Sequence, residues 1–269
     1  MTAAHALVLG LLQGFGEFLP ISSSGHLIVV PWLLGWPMQG LSFDVALHLG
    51  TLFAVVAAFA GDWIRLLRGA ARGVAERAPF RDRDGRLFWL IALASVPGAI
   101  AGKLLEEKAE TAFRAPALVA IAMAAMGLIL WIADRRGREA LDATGMTLPD
   151  AALIGLAQAL ALVPGVSRSG VTISAALLLG YRREEAARFS FLLATPITFG
   201  AAALKVPQLM HDDAAGAALI GMAAAAVAGF LSIKVLLAYV RKHDYLPFVW
   251  YRFAFAAVVG IVALLRGRA

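Results

Sequence analysis

The chain has 269 residues, 61% of them hydrophobic and only 16% charged, with a mean hydropathy of +0.78. Apolar runs along the whole length exclude an ordinary soluble domain and indicate a polytopic membrane protein, and the lack of cysteine excludes disulfides, thiol catalysis and Cys-ligated metals. The net charge of +6 does not point to nucleic acid, because the arginines lie in short connections between apolar segments, as in the cytoplasmic loops of membrane proteins.

The N-terminus has no basic n-region followed by a small-residue cleavage site, so Ala3 onward is expected to be retained as structure. The first apolar region, 4–35, is broken at Pro20 and the serines Ser22, Ser23 and Ser24. Its two arms are each shorter than the roughly 20 residues a spanning helix needs. It therefore reads as a helical hairpin that enters and leaves on one side, with irregular backbone tolerated at depth because it lines a protein cavity. Three spans follow, at about 43–61, 87–104 and 115–133. A second broken region, 151–181, is interrupted at Pro164-Gly165, and three more spans are expected at about 186–207, 214–239 and 248–265.

Loop charge orients these segments. Arg65, Arg68, Arg72, Arg77, Arg81, Arg83 and Arg86 follow the first span, Arg135, Arg136 and Arg138 the third, and Arg241 and Lys242 the fifth. These connections are expected to be cytoplasmic. On the opposite side Lys103, Lys108 and Arg114 are balanced by Glu106, Glu107 and Glu110, so both termini are expected outside, against the bias of Arg266 and Arg268.

The chain also repeats itself at an offset of 145 positions. Gly10 pairs with Gly155, Gln13 with Gln158, Ser22 with Ser167, Ser24 with Ser169, Gly25 with Gly170, Ile28 with Ile173, and Leu33-Leu34-Gly35 with Leu178-Leu179-Gly180. One hairpin plus three spans makes each half, and an odd number of crossings inverts the second half. The expected fold is an all-α single integral membrane domain over 1–269. Its inverted-topology repeats cover about 1–140 and 146–269, and the two hairpin tips meet inside the bilayer.

Ionisable groups at membrane depth are costly and hence functional candidates. In the first tip, a helix restarting at the serines presents hydroxyls and backbone N–H groups to an anion; in the second, Arg168 between Ser167 and Ser169 offers a guanidinium fork suited to phosphate. The repeat sets Arg168 opposite Ser23. Glu17 and His26 add acid–base capacity, so that Ser, His, Glu and Arg form a set suited to phosphoryl transfer. Structural readings stand beside these: the serines as N-caps, Glu17 snorkelling, His26 satisfying a buried carbonyl, and Arg168 bridging to Glu17. Asp44 and His48, one helical turn apart, read as structural or supporting groups. Gly98 and Gly102 read as helix packing.

Gln13-Gly14-Phe15-Gly16-Glu17-Phe18-Leu19-Pro20-Ile21-Ser22-Ser23-Ser24-Gly25-His26 and Pro164-Gly165-Val166-Ser167-Arg168-Ser169-Gly170, with the apolar pattern from Phe43 to Thr51, resemble the bacterial undecaprenyl-diphosphate phosphatase family of the bacitracin-resistance type. The similarity runs over essentially the whole chain. It implies a multi-pass enzyme of the bacterial inner membrane whose site is reached from the periplasmic side. Such an enzyme hydrolyses undecaprenyl diphosphate to the monophosphate and inorganic phosphate, recycling the lipid carrier for peptidoglycan and conferring bacitracin resistance. It also implies catalytic roles for Glu17, Ser23, His26 and Arg168, with Ser23 the nucleophile and His26, oriented by Glu17, its base. Substrate contacts are expected at Gln13, Ser22, Ser24, Gly25, Ser167, Ser169 and Gly170. A divalent cation, Mg or Ca, is implied, with Glu17 as its ligand; Gln13 stands where some members have a second Glu. Expected partners are the polyprenyl diphosphate, membrane lipids and a second copy of the chain. Two alternatives stay open: direct attack by water with Ser23 as a ligand, and a transporter or flippase that passes a polyprenyl phosphate through the same inverted-repeat site.

Overall fold

The computed structural model describes residues 2–267 apart from 106, 109–110, 138–139 and 210–214. Glu106, Glu110, Arg138 and Arg268, used above to orient the chain, lie outside the described residues. Within them the chain is helical, with no strand. Five helices are long and apolar enough to cross a membrane, and a sixth span is formed if one bent pair is counted together.

The first hairpin is α1 (Ala3–Phe18) and α2 (Ser23–Leu34). Pro20 forces its predecessor out of the helical region, and Leu19 is accordingly extended. The chain then reverses through Ser22, whose φ of 69° is left-handed and whose Oγ accepts the Gly25 N–H as an N-cap. The second hairpin repeats this path. Helix α7 (Leu148–Ala159) runs into a short 3₁₀ turn before Pro164, and α8 (Arg168–Leu178) starts from Ser167, with φ 73° and its Oγ accepting the Gly170 N–H. Both returning arms end at a glycine with positive φ, Gly35 and Gly180.

Each hairpin closes on itself at its mouth. His5 of α1 stacks on Trp36 at 4.1 Å between ring centroids, and Tyr181 Oη donates to Asp150 Oδ2 at 2.7 Å. The two mouths lie at opposite ends of the molecule. Helix α6 (Pro116–Arg136), about 32 Å long at 1.5 Å per residue, begins beside the first mouth, where Arg114 donates to Asp44. It ends where Asp134 accepts from Arg183 and from the Tyr245 N–H, beside the second mouth. Helix α11 (Leu246–Leu265) runs back, and Arg266 beyond its end donates to Trp32 O in the first hairpin. The hairpins therefore enter from opposite ends, as an inverted repeat requires.

Equivalent helices pack in equivalent ways. Helix α1 lies on α10 (Ala215–Val240), and a Cβ at Gly10 would sit 2.2 Å from Gly221 O. Helix α7 lies on α5 (Arg83–Leu104), where a Cβ at Gly155 would sit 2.5 Å from Ala94 O. Such backbone approach is how helices pack without a hydrophobic drive between them in lipid. Helix α9 (Arg183–Leu209) packs on α3 (Leu41–Ala58) at the centre.

One connection differs from expectation. The arginine-rich stretch after the first span is a helix, α4 (Ala60–Ala75), set at 77° to α3 across Phe59. Leu66, Gly69, Ala70 and Gly73 are buried, whereas Arg65, Arg68 and Arg72 are exposed, so an amphipathic helix stands where charge alone indicated a loop. Asp62 accepts from Arg188 of α9 at 2.6 Å, and the Arg188 guanidinium lies 5.4 Å from the centroid of the Phe59 ring, fixing the elbow.

Candidate active site

The two tips are joined by hydrogen bonds. Ser22 Oγ accepts the Gly165 N–H at 3.1 Å as well as its own cap bond, and Ser169 Oγ donates to Leu19 O at 3.2 Å. Arg252 of α11, wholly buried, donates to Pro20 O at 2.9 Å in one tip, to Gly165 O at 2.7 Å in the other, and to Met123 O at 3.1 Å in α6. The carbonyls freed by both helix breaks are thus satisfied by one guanidinium. Arg252 was not among the sequence candidates. Its signal was available, since it is a lone arginine inside an apolar span.

Above this joint the expected partners converge on Glu17. Its Oε2 accepts from Ser23 Oγ at 2.7 Å and from Gln13 Nε2 at 3.1 Å, while Oε1 accepts from Arg168 Nη2 at 2.9 Å. Arg168 is itself held by Ser190 O at 2.6 Å. Ser23 and Arg168, equivalent positions of the repeat, therefore meet on one carboxylate. Glu17, Ser23, Ser24, Ser167 and Arg168 line a cavity of about 310 Å³, with Leu27, Ile28, Val45, Leu162 and Ile197 among its apolar walls. A polar end beside an apolar wall suits a charged headgroup on a hydrocarbon chain.

Several candidates sit elsewhere than expected. Gln13, Ser22, Gly25, Ser169 and Gly170 do not line the cavity; Gln13 supports Glu17, and the other four knit or cap the tips. His26, expected to take the Ser23 proton, is hydrogen-bonded elsewhere: its Nδ1 bonds to Ser22 O at 2.7 Å and its Nε2 to Tyr251 Oη at 2.5 Å, and its ring packs against Phe255. It does not line the cavity, from which it stands one turn into α2. His48 takes the expected place. Its Nδ1 is paired with Asp44 O at 2.7 Å, leaving Nε2 facing Glu17 Oε2 at 3.6 Å. Asp44 and His48 both line the cavity, closer to the chemistry than a purely structural reading of the pair allows. Gly98 lines it as well, where a Cβ would sit 2.6 Å from Ile197 Cδ1.

A resident divalent cation does not fit. No group of three or more His, Asp or Glu side chains among the described residues is arranged to hold a metal. Both oxygens of Glu17 are taken up by Ser23, Gln13 and the Arg168 cation. Glu17, the expected metal ligand, thus has donors on both of its oxygens.

Together these features define a class: an integral membrane protein with an acid–hydroxyl–guanidinium site where two re-entrant hairpins meet. Comparison with known proteins places it further. Residues 6–258 match the family model described as bacitracin resistance protein BacA, and the chain belongs to that family. A protein of Moorella thermoacetica named undecaprenyl-diphosphatase is 53% identical over 99% of this chain and 100% of its own length. Proteins of the same name from Pelotomaculum thermopropionicum and Geobacter sulfurreducens are 48% and 51% identical, over 99% and 94% of this chain and 98% and 95% of theirs.

Proposed function

We propose that this chain is an undecaprenyl-diphosphatase, a membrane hydrolase that converts undecaprenyl diphosphate and water into undecaprenyl phosphate and inorganic phosphate. One observation carries the reading: Ser23 Oγ lies 2.7 Å from Glu17 Oε2 while the other Glu17 oxygen holds Arg168, at the polar end of a cavity with apolar walls.

In the reaction the diphosphate displaces Glu17 from Arg168, whose guanidinium then binds the terminal phosphoryl oxygens. Glu17 Oε2 takes the Ser23 proton as Oγ bonds to the terminal phosphorus. The bond from that phosphorus to the bridging oxygen breaks, and the bridging oxygen leaves on undecaprenyl phosphate. Water, giving its proton to His48 Nε2, then attacks the phosphorus of phosphoserine; the bond from phosphorus to Ser23 Oγ breaks, Oγ takes back the proton held by Glu17, and inorganic phosphate leaves. His26 buttresses the start of α2 through Ser22 O and so holds Ser23 in line. A divalent cation, if one takes part, would arrive with the substrate and offset its phosphate charge, and no step runs through it.

The cavity extends to Arg114 and Asp44, beside the starts of α6 and α3, which loop charge assigns to the outer side. This supports a site in the bacterial inner membrane reached from the periplasm. The repeat boundaries near 140 and 146 belong to the same proposal. Transport through the tips needs no carboxylate on the Ser23 hydroxyl, which favours hydrolysis over a flippase. The test is phosphate release from a polyprenyl diphosphate by purified protein in detergent, where no compartment exists, with rapid quench of labelled substrate. Phosphoserine at Ser23 is expected. Turnover without it would replace the covalent route by direct water attack, and no phosphate release at all would overturn the function.

A further inference from the structure

Two guanidinium groups face the one cavity, and the reaction above uses only one. Arg168 pairs with Glu17 at 2.9 Å and Arg114 pairs with Asp44 Oδ2 at 3.0 Å. All four side chains line the cavity and all are largely buried. The Asp44 carboxylate meets Arg114 through Oδ2 at 3.0 Å and has Gln39 beside it, so the guanidinium is held over the cavity by a single carboxylate oxygen. A buried cation held this way can be recruited by an anion that enters the cavity.

The placement fits a diphosphate. His48, which reaches Glu17 at 3.6 Å, lies one turn beyond Asp44 on α3, so the two ion pairs stand beside successive turns of the same cavity wall. Arg168 and Arg114 are the two cations among the residues that line the cavity, and an apolar wall residue, Val45, follows Asp44 directly. A diphosphate whose terminal phosphorus is at Ser23 and Arg168 would therefore point its other phosphate, and the hydrocarbon beyond it, toward Arg114.

The geometry points to Arg114 as a second phosphate clamp, which binds the lipid-proximal phosphate and is kept over the empty cavity by Asp44. This inference rests on the diphosphate-hydrolysis reading. As substrate enters, Arg114 exchanges the one-oxygen grip of Asp44 for phosphate oxygens. After cleavage Arg114 holds the polyprenyl monophosphate and Arg168 the inorganic phosphate. Arg114 is thus a specificity residue that distinguishes a diphosphate from a single phosphate, and its contribution is mainly to binding.

Detergent-purified protein with a polyprenyl diphosphate as substrate, and with polyprenyl monophosphate and inorganic phosphate as product inhibitors, tests this. Wild-type protein that releases no phosphate would sink the activity itself; every other outcome bears on Arg114. Arg114→Gln should raise KM at least about tenfold and weaken inhibition by the monophosphate equally, while kcat stays within about threefold and inhibition by inorganic phosphate is unchanged. Arg114→Lys, which keeps the charge but loses the fork, should fall between. A KM shift under about twofold in Arg114→Gln, or equal weakening by both products, would overturn the clamp. Asp44→Asn breaks the same ion pair but keeps the cation, so its KM should be unchanged or lower. A rise in KM with Asp44→Asn as large as with Arg114→Gln, or with Arg114→Lys if the Gln variant does not fold, would show that the pair is only structural.

Discussion

The two hairpin tips share one backbone design and divide the chemistry between them. Ser22 and Ser167 have nearly the same left-handed φ and cap their helices through the same bond, to the N–H of Gly25 and of Gly170. The next residue is where they part: Ser23 in the first tip, Arg168 in the second. Backbone geometry has been kept in both copies because each must end and restart a helix at depth, where every unpaired N–H or C=O is expensive. Side chains at the paired position were free to diverge, and inversion of the repeat brings them face to face on Glu17. A homodimeric or single-copy hairpin could not supply a nucleophile and a cation from symmetry-related places so economically.

Changes at that divergent position should have the largest effects. Ser23→Ala and Arg168→Ala are each expected to lower turnover by about 10²–10³-fold or more, with detergent-extracted protein still monodisperse. Ser167→Ala, which removes the cap bond to Gly170 and the contact with Ser169, should cost about 1 kcal/mol of stability and lower turnover less than either. Equal loss of turnover in all three would erase the distinction between shared frame and divergent chemistry. Next comes the joint itself. Arg252→Met removes the donor to carbonyls of both tips and should destabilise the protein by about 3 kcal/mol or more, read as thermal midpoint in detergent. A midpoint near wild type would mean that the tips meet without it.

The two histidines sharpen the comparison further. His48→Gln should reduce kcat by about 10²-fold, because an amide cannot take the proton of the attacking water. His26→Gln should lower the thermal midpoint and leave the pH profile of turnover unchanged, since His26 supports backbone and exchanges no proton with the cavity. A changed pH limb in His26→Gln would return the base to that residue. The smallest effect is at the second mouth. Burial alone would raise the Asp150 carboxyl, but hydrogen bonds from Thr147 and Tyr181 outweigh it and hold the group below the usual aspartate range. Its contribution to stability is therefore present above the unfolded-state value of about 3.9 and is lost as pH falls through the lower folded value. Asp150→Asn should leave a stability deficit at neutral pH that closes below about pH 4, measured as midpoint against pH. A deficit that persists in acid would assign the effect to packing.

The sequence by itself determined the membrane class, the positions of five spans to within a few residues, the two broken hairpins and their relation by a 145-residue offset; the first expected span is instead part of a helix pair bent at Phe59. These follow from local causes: apolar length, a proline that cannot continue a helix, serines that cap one, and a repeat that preserves all of them. It also picked out Glu17, Ser23 and Arg168, because charge and hydroxyls at a helix break have no cheap explanation in lipid. Where the imidazoles point was decided only by the tertiary structure. A turn of helix separates His26 from the cavity, and a different helix brings His48 to Glu17, so the more conspicuous motif histidine bonds to the backbone of its own tip and the less conspicuous one lines the cavity. The pairing of Arg114 with Asp44, the clasp of Arg252 on both tips and the helical form of 60–75 were likewise decided by packing between segments far apart in the chain. Local periodicity and composition carry no record of which distant carbonyl or carboxylate a buried guanidinium will meet.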